Sequence, residues 1–222
     1  MENKINIYIK FLRDLKRIIP DFIVSGSIAT MIYLNQFTRE CNDVDIHFKC
    51  KNILNDLKKI ERFEYELESI SDNYATIKVK EIENFYIKLD INYSYFPFQK
   101  EKEINLVKLE KLIADKIIRC SIKTNKFPRA KDLYDLQFLL KLPYDKSLVF
   151  QYMLKNLKDY NVENGYTLFI EKQESTKTYS KLFQEYIKNT NVFYEFDRKN
   201  TICNVVNIIK EIRKLYKENN EF

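Results

Sequence analysis

One of only two glycines in this 222-residue sequence stands at position 26, inside Val24-Ser25-Gly26-Ser27. In a chain this poor in glycine, the residue answers a backbone requirement: a positive φ, or close approach of another group. Phe22 to Ser25 reads as a short apolar strand and Ile28 to Leu34 as the helix after it, with Ser27 placed to cap that helix. Such a turn aims free backbone N–H groups and the positive helix end outward, which suits a phosphate.

Further on, Asp43-Val44-Asp45 lies in Asn42 to Phe48, where polar and apolar residues alternate. Alternation predicts a strand with both carboxylates on one face. Like charges held that close are tolerated where a divalent cation or a shared proton offsets them. A phosphate cradle beside paired carboxylates is the apparatus of phosphoryl or nucleotidyl transfer. The bland alternative is an ordinary turn beside a solvated strand end. His47 continues the face of Asp43 and Asp45, where it either touches substrate or fills the sheet rim.

Around this centre, Ile5, Tyr8, Leu12, Leu15 and Ile19 predict an amphipathic helix over residues 3 to 19 that Pro20 ends. Ile53, Leu57 and Ile60 mark another. Three strands follow, at Phe63 to Ile70, Tyr74 to Val79 and Phe85 to Tyr93. The last contains Asp90, a third carboxylate if this strand lies beside Asp43-Val44-Asp45 and a solvent-facing residue otherwise. Pro97 begins a connection, and from about residue 103 the pattern is helical. In Ile104 to Ser121, Leu109, Ile113, Ile117 and Cys120 form a stripe, with Lys108, Lys111, Asp115 and Arg119 opposite.

Lys116 breaks this division, because at 100° per residue it falls on the inward face. The next helix, after Pro128, has its stripe at Leu133, Leu136, Leu139 and Leu140, with Asp132 at the edge and Asp135 farther out. A lysine and an aspartate facing inward on consecutive helices must pair or line a cleft, since burying either alone is costly. The two readings are a structural Lys116 to Asp132 salt bridge and a Lys116 that reaches a triphosphate. Leu148 to Leu157 and Leu182 to Ile187 read as helices, Val192 to Phe196 as a short extended piece, and Thr201 to Lys217 as the last helix.

Composition narrows the function classes. No apolar run approaches the ~20 residues of a membrane span, and the N-terminus lacks a signal-peptide pattern, so the expectation is a cytoplasmic protein with no membrane association. Cys41, Cys50, Cys120 and Cys203 form no C-x-x-C pair, and one histidine is too few for most zinc sites, for a metal-dependent phosphohydrolase, or for a serine or cysteine triad not built on His47. Residues 1 to 100 carry 15 Lys and Arg against 15 Asp and Glu, and residues 101 to 222 carry 23 against 17, so the whole net charge of +6 lies in the second half. A basic second half favours a polyanionic partner.

These pieces together resemble the AbiEii/AbiGii-type toxin nucleotidyltransferases of the DNA polymerase beta-like superfamily. Val24-Ser25-Gly26-Ser27 with Asp43-Val44-Asp45 is similar to the superfamily's first motif. Leu109-Glu110-Lys111-Leu112-Ile113-Ala114-Asp115-Lys116 resembles a helix carrying a functional lysine, and Arg129-Ala130-Lys131-Asp132-Leu133-Tyr134-Asp135-Leu136 resembles the family's arginine, lysine, D-x-x-D segment. The matches run from about residue 20 to 142.

The resemblance implies an α/β (α+β) nucleotidyltransferase domain with a mixed sheet over 1–100, and an α-helical domain over 101–222 that closes the cleft. It implies Mg²⁺, two ions, on Asp43, Asp45 and Asp90, with Gly26 and Ser27 on the phosphates of an NTP. Arg39 stands where the family often has an arginine ahead of the D-x-D. Lys116 would neutralise the triphosphate, and Asp132, with Asp135, would complete the site. Cys41 departs from the serine or threonine usual there. The implied reaction is transfer of NMP to an acceptor hydroxyl on RNA, plausibly a tRNA 3′ end, or on protein, with a cognate antitoxin implied by the family alone. The rival is a catalytically silent member that binds nucleic acid or a partner protein.

Overall fold

The period-two alternation around Asp43 builds a sheet with one apolar and one polar face. A computed structural model of the protein describes residues 2–41, 43–48, 53–61, 63–81, 86–94, 96–121, 130–159 and 192–220. Asn42, Cys50, Arg129 and the predicted helix Leu182 to Ile187 lie outside the described residues. No helix among those described is long and apolar enough to cross a membrane.

The chain divides into two units, Met1–Lys108 and Leu109–Phe222. The first holds helices α1 (Glu2–Ile18), α2 (Gly26–Leu34) and α3 (Ile53–Leu57). Its strands are β1 (Ile23–Ser25), β2 (Asp43–His47), β3 (Phe63–Ile70), β4 (Tyr74–Glu81), β5 (Tyr86–Asn92), β6 (Phe98–Glu101) and β7 (Ile104–Val107). They form one seven-stranded mixed sheet in the order β3-β4-β5-β2-β1-β7-β6. β2 pairs parallel with β5, β1 pairs parallel with β7, and the other pairs are antiparallel.

Register explains the two faces. Val44 pairs with Leu89 and Leu89 with Ile77, while Ile46 pairs with Ile91 and Ile91 with Ala75, and all six are fully buried or nearly so. Tyr8, Phe11, Leu12 and Leu15 of α1 add to this core, with Phe11 meeting Phe63 edge to face at 5.2 Å between ring centroids. One residue out of phase, Asp43 pairs with Lys88 and Lys88 with Lys78, and Asp45 pairs with Asp90 and Asp90 with Thr76. A period of two fixes this separation of faces.

The sequence pattern misreads β6 and β7. Ile104 to Val107 is the strand beside β1, buried at all four positions, and helix begins only at Leu109. A short unbroken apolar run carries no period to tell strand from helix. The preceding hairpin is hidden too, because its two central residues, Lys102 and Glu103, have φ of 47° and 69° without being glycine or asparagine. Two consecutive positive φ values are the pattern of a type I′ turn. Asn105 ties β7 in place by donating from Nδ2 to the carbonyls of Pro20 and Phe22, both at 3.1 Å. The first unit runs through β7 to Lys108.

The second unit is helical among its described residues: α4 (Leu109–Ser121), α5 (Ala130–Leu139), α6 (Lys146–Asp159) and α7 (Arg198–Asn220). The predicted stripe of Leu109, Ile113, Ile117 and Cys120 is buried, together with Leu133, Leu136 and Leu139 of α5 and Val205, Ile209 and Ile212 of α7. Asp145 caps α6, accepting from the N–H of Ser147 at 2.8 Å. Gln137 binds both the Glu195 carbonyl and the Asp197 N–H, which fixes the extended piece ahead of α7. Lys111, placed by periodicity on the solvent side, is 8% exposed, and its ammonium reaches Asp115 at 2.6 Å. Its long stem covers apolar surface while its head is paired.

Candidate active site

Gly26 meets both demands expected of it. Its φ is +64°, and a Cβ placed on it would lie 1.9 Å from Asp45 Oδ2. The glycine thus makes room for the second carboxylate of the D-x-D. Ser25 is the N-cap of α2 and pairs with Asp45 across the β1–β2 ladder, but its side chain makes no capping hydrogen bond. Ser27 is not the cap; its Oγ accepts a short hydrogen bond from Nη2 of Arg39. Arg39 is 3% exposed and also donates to the Glu40 carbonyl at 3.0 Å. Ser25 gives the first turn of α2 no side-chain cap, and a helix amino end of this kind suits an anion.

The carboxylates occupy neighbouring positions on the polar face. Asp43 and Asp45 are both half-buried on β2, and Asp90 on β5 is in register with Asp45. Each has its own protein contact. Cys41 Sγ donates to Asp43, to the carbonyl at 3.1 Å and to Oδ1 at 3.3 Å. Asp45 lies against Gly26. Asp90 Oδ1 accepts from Thr76 Oγ1 at 2.8 Å and stands 3.5 Å from Lys88 Nζ. Among the described residues no three His, Cys, Asp or Glu side chains converge tightly enough to hold a metal ion as they stand. The donor set nevertheless suits a hard divalent cation, because it is carboxylate oxygen throughout and Asp45 and Asp90 are direct neighbours in the ladder.

The Cys41 thiol is pushed up to about 12, chiefly by burial, with the Asp43 charge adding to the shift and Arg39 opposing it. Burial likewise raises the Tyr8 phenol, whose hydroxyl donates to the Cys41 carbonyl at 2.7 Å, and the charges of Cys41, Asp43 and Glu40 add to the shift. Both groups are therefore neutral donors beside Asp43. His47, left open between substrate and rim by the sequence, bridges Ser25 Oγ and Ser94 Oγ at 2.8 Å each, with Phe96 edge-on at 4.5 Å. The sequence pattern does not single out Thr76, Lys88 or Ser94. Strand alternation marks Lys88 as sharing the face of Asp90, but nothing in the sequence marks Ser94.

In the helical unit, Lys116 donates to Asp132 Oδ1 at 3.1 Å and to Asp135 Oδ2 at 2.7 Å. All three are buried, at 2%, 2% and 1% exposure. The inward lysine is as expected. Asp135, expected farther out, is fully inside and makes the shorter contact, because the lysine reaches across one turn of α5 between the two acids.

The sheet order, the Gly-Ser turn and the carboxylate strand define a nucleotidyltransferase fold. A family model described as nucleotidyl transferase AbiEii toxin, Type IV TA system, matches residues 19–197, and the chain belongs to this family. It is accordingly a nucleotidyltransferase toxin, a class that works on an NTP with a divalent metal and has a cognate antitoxin. The fold is also that of JHP933 from Helicobacter pylori, at 19% identity and TM-score 0.58 over 98% of this chain and 96% of that one. MenT4, a nucleotidyltransferase toxin from Mycobacterium tuberculosis, matches at 12% and 0.55 over 86% and 84%. The antibiotic-resistance factor ANT(2'')-Ia matches at 14% and 0.52 over 72% and 95%. No curated protein matches the sequence.

Proposed function

We propose that the chain transfers NMP from an NTP to a hydroxyl of RNA, at a tRNA 3′ end, using Mg²⁺ held by Asp43, Asp45 and Asp90. The observation that carries the reading is the placement of Asp45 against Gly26 on one side and in register with Asp90 on the other. One residue thereby joins the phosphate turn to the metal carboxylates. Two bound ions would polarise the phosphates and stabilise charge on the attacking and leaving oxygens. The uncapped amino end of α2 binds the phosphates through backbone N–H groups, and Arg39 fixes Ser27 so that the turn keeps its shape. Cys41 orients Asp43 by donating to it. Within the helical unit, Lys116 is paired with both Asp132 and Asp135 and all three are buried, so this triad joins α4 to α5.

An RNA acceptor is favoured by the excess of Lys and Arg in the second half of the chain. The competing acceptor is a protein hydroxyl. Incubation with each α-labelled NTP, Mg²⁺, total RNA and total protein, followed by separate nuclease and protease digestion, decides between them. Label lost with nuclease alone supports the RNA reading, and label lost with protease alone replaces it.

A further inference from the structure

Four charged side chains form the corners of one patch on the polar face of the sheet. Asp43 and Asp45 stand on β2, Lys88 and Asp90 on β5, with Asp43 paired to Lys88 and Asp45 to Asp90. Neighbouring strands lie about 4.8 Å apart, and same-face residues along a strand about 7 Å, so each charge feels the other three. Three corners are carboxylates that repel one another, and Lys88 is the positive fourth. Its ammonium approaches Asp90 Oδ1, the oxygen that also accepts from Thr76. Asp90 is thus drawn toward Lys88 and Thr76, while Asp43 and Asp45 keep the contacts to Cys41 and Gly26.

We propose that Lys88 is the internal counter-ion of this patch, and that a divalent cation must displace it from Asp90 before Asp90 can join Asp43 and Asp45 around the ion. The inference rests on the nucleotidyl-transfer reading of the three carboxylates. Lys88 acts through Asp90 and is a positioning residue. It suits exchange, because its side chain is 49% exposed, its contact with Asp90 is 3.5 Å long, and a flexible four-carbon stem carries the charge. Its effect is competitive: the lysine balances the carboxylates and, by the same charge, opposes the cation. Lys78, on the same face in register with Lys88, lies 3.9 Å from Glu66 and one strand farther from Asp45.

The test is a calorimetric Mn²⁺ titration of the full chain without nucleotide. Lys88→Met is expected to lower the Kd on the order of tenfold, the effect of removing a unit charge several ångströms from a doubly charged ion in near-aqueous surroundings. Lys88→Gln, a second variant should Lys88→Met not fold, is expected to do the same, and Lys88→Arg to keep the wild-type value. Adding Asp90→Asn to Lys88→Met should abolish the gain, and Lys78→Met should leave Kd unchanged. A Kd in the neutral Lys88 variants equal to or weaker than wild type overturns the proposal, as does equal tightening in Lys78→Met. Those results leave the nucleotidyl-transfer reading standing. A wild-type protein that binds no divalent cation overturns both.

Discussion

Gly26→Ala separates a glycine needed for its backbone from one needed for its neighbour. The new methyl would sit 1.9 Å from Asp45 Oδ2 and 2.8 Å from Asp45 Cγ. Restoring ordinary contact near 3.5 Å requires the carboxylate to move by roughly 1.5 Å. Independently, a φ of +64° costs an alanine about 1–2 kcal/mol. The chain should lose about 2–4 °C in Tm per kcal/mol, a shift measurable by circular dichroism. The rate should fall further than stability explains, since misplacing a reacting or metal-holding group by about 1 Å costs about a hundredfold. The assay is NTP-dependent label transfer well below Tm, where the variant is folded. In an Asp45→Ala background, Gly26→Ala should cost only its backbone share, about 1–2 kcal/mol. A folded Gly26→Ala enzyme with wild-type rate, or an equal stability cost in both backgrounds, would refute the steric link between Gly26 and Asp45.

Five further outcomes follow from the structure. Lys116→Met leaves Asp132 and Asp135 buried without their cation and should cost about 3–5 kcal/mol in urea unfolding; a loss below 1 kcal/mol, by the measure of an exposed pair, would show that the triad is not buried in solution. Asn105→Leu strands the Pro20 and Phe22 carbonyls and should cost about 1–3 kcal/mol by the same measurement. Glu103→Gly relieves a positive φ of 69° in the β6–β7 turn and should stabilise the chain by about 1 kcal/mol, read as a rise in Tm. The Cys41 thiol, raised to about 12, should resist alkylation at pH 8 while exposed Cys203 reacts, as peptide mapping would show. Because its folded pKa exceeds the unfolded one, Cys41 contributes stability below about pH 9 that is withdrawn as pH climbs toward about 12, which a pH series of melts would register.

The site was legible where chemistry and period coincide. The D-x-D alternation placed Asp43 and Asp45 on one face, a glycine in a glycine-poor chain marked the strained turn, and the 100° spacing turned Lys116 inward. Asp90 depended on which strand neighbours β2, and one strand's pattern does not contain its neighbour's identity. β7 escaped because Ile104 to Val107 is buried on both sides and shows no alternation, and its hairpin escaped because Lys102 and Glu103 adopt positive φ without the usual turn residues. Local propensity makes Ser27 a cap, but Arg39 claims its hydroxyl through a contact no local window contains. Angular position alone sets Asp135 outside, because it ignores how far a lysine reaches. The register that makes Lys88 a neighbour of Asp43 is likewise tertiary information.

The most direct test incubates the protein with α-labelled NTPs, Mg²⁺ and total RNA beside an Asp43→Ala, Asp45→Ala variant, and counts label covalently retained on macromolecule. Retained label that depends on Mg²⁺ and is absent from the variant is the predicted result. Label transfer undiminished in the variant, or unaffected by removing the divalent ion with a chelator, would contradict the account of these carboxylates as the metal-holding centre of the reaction.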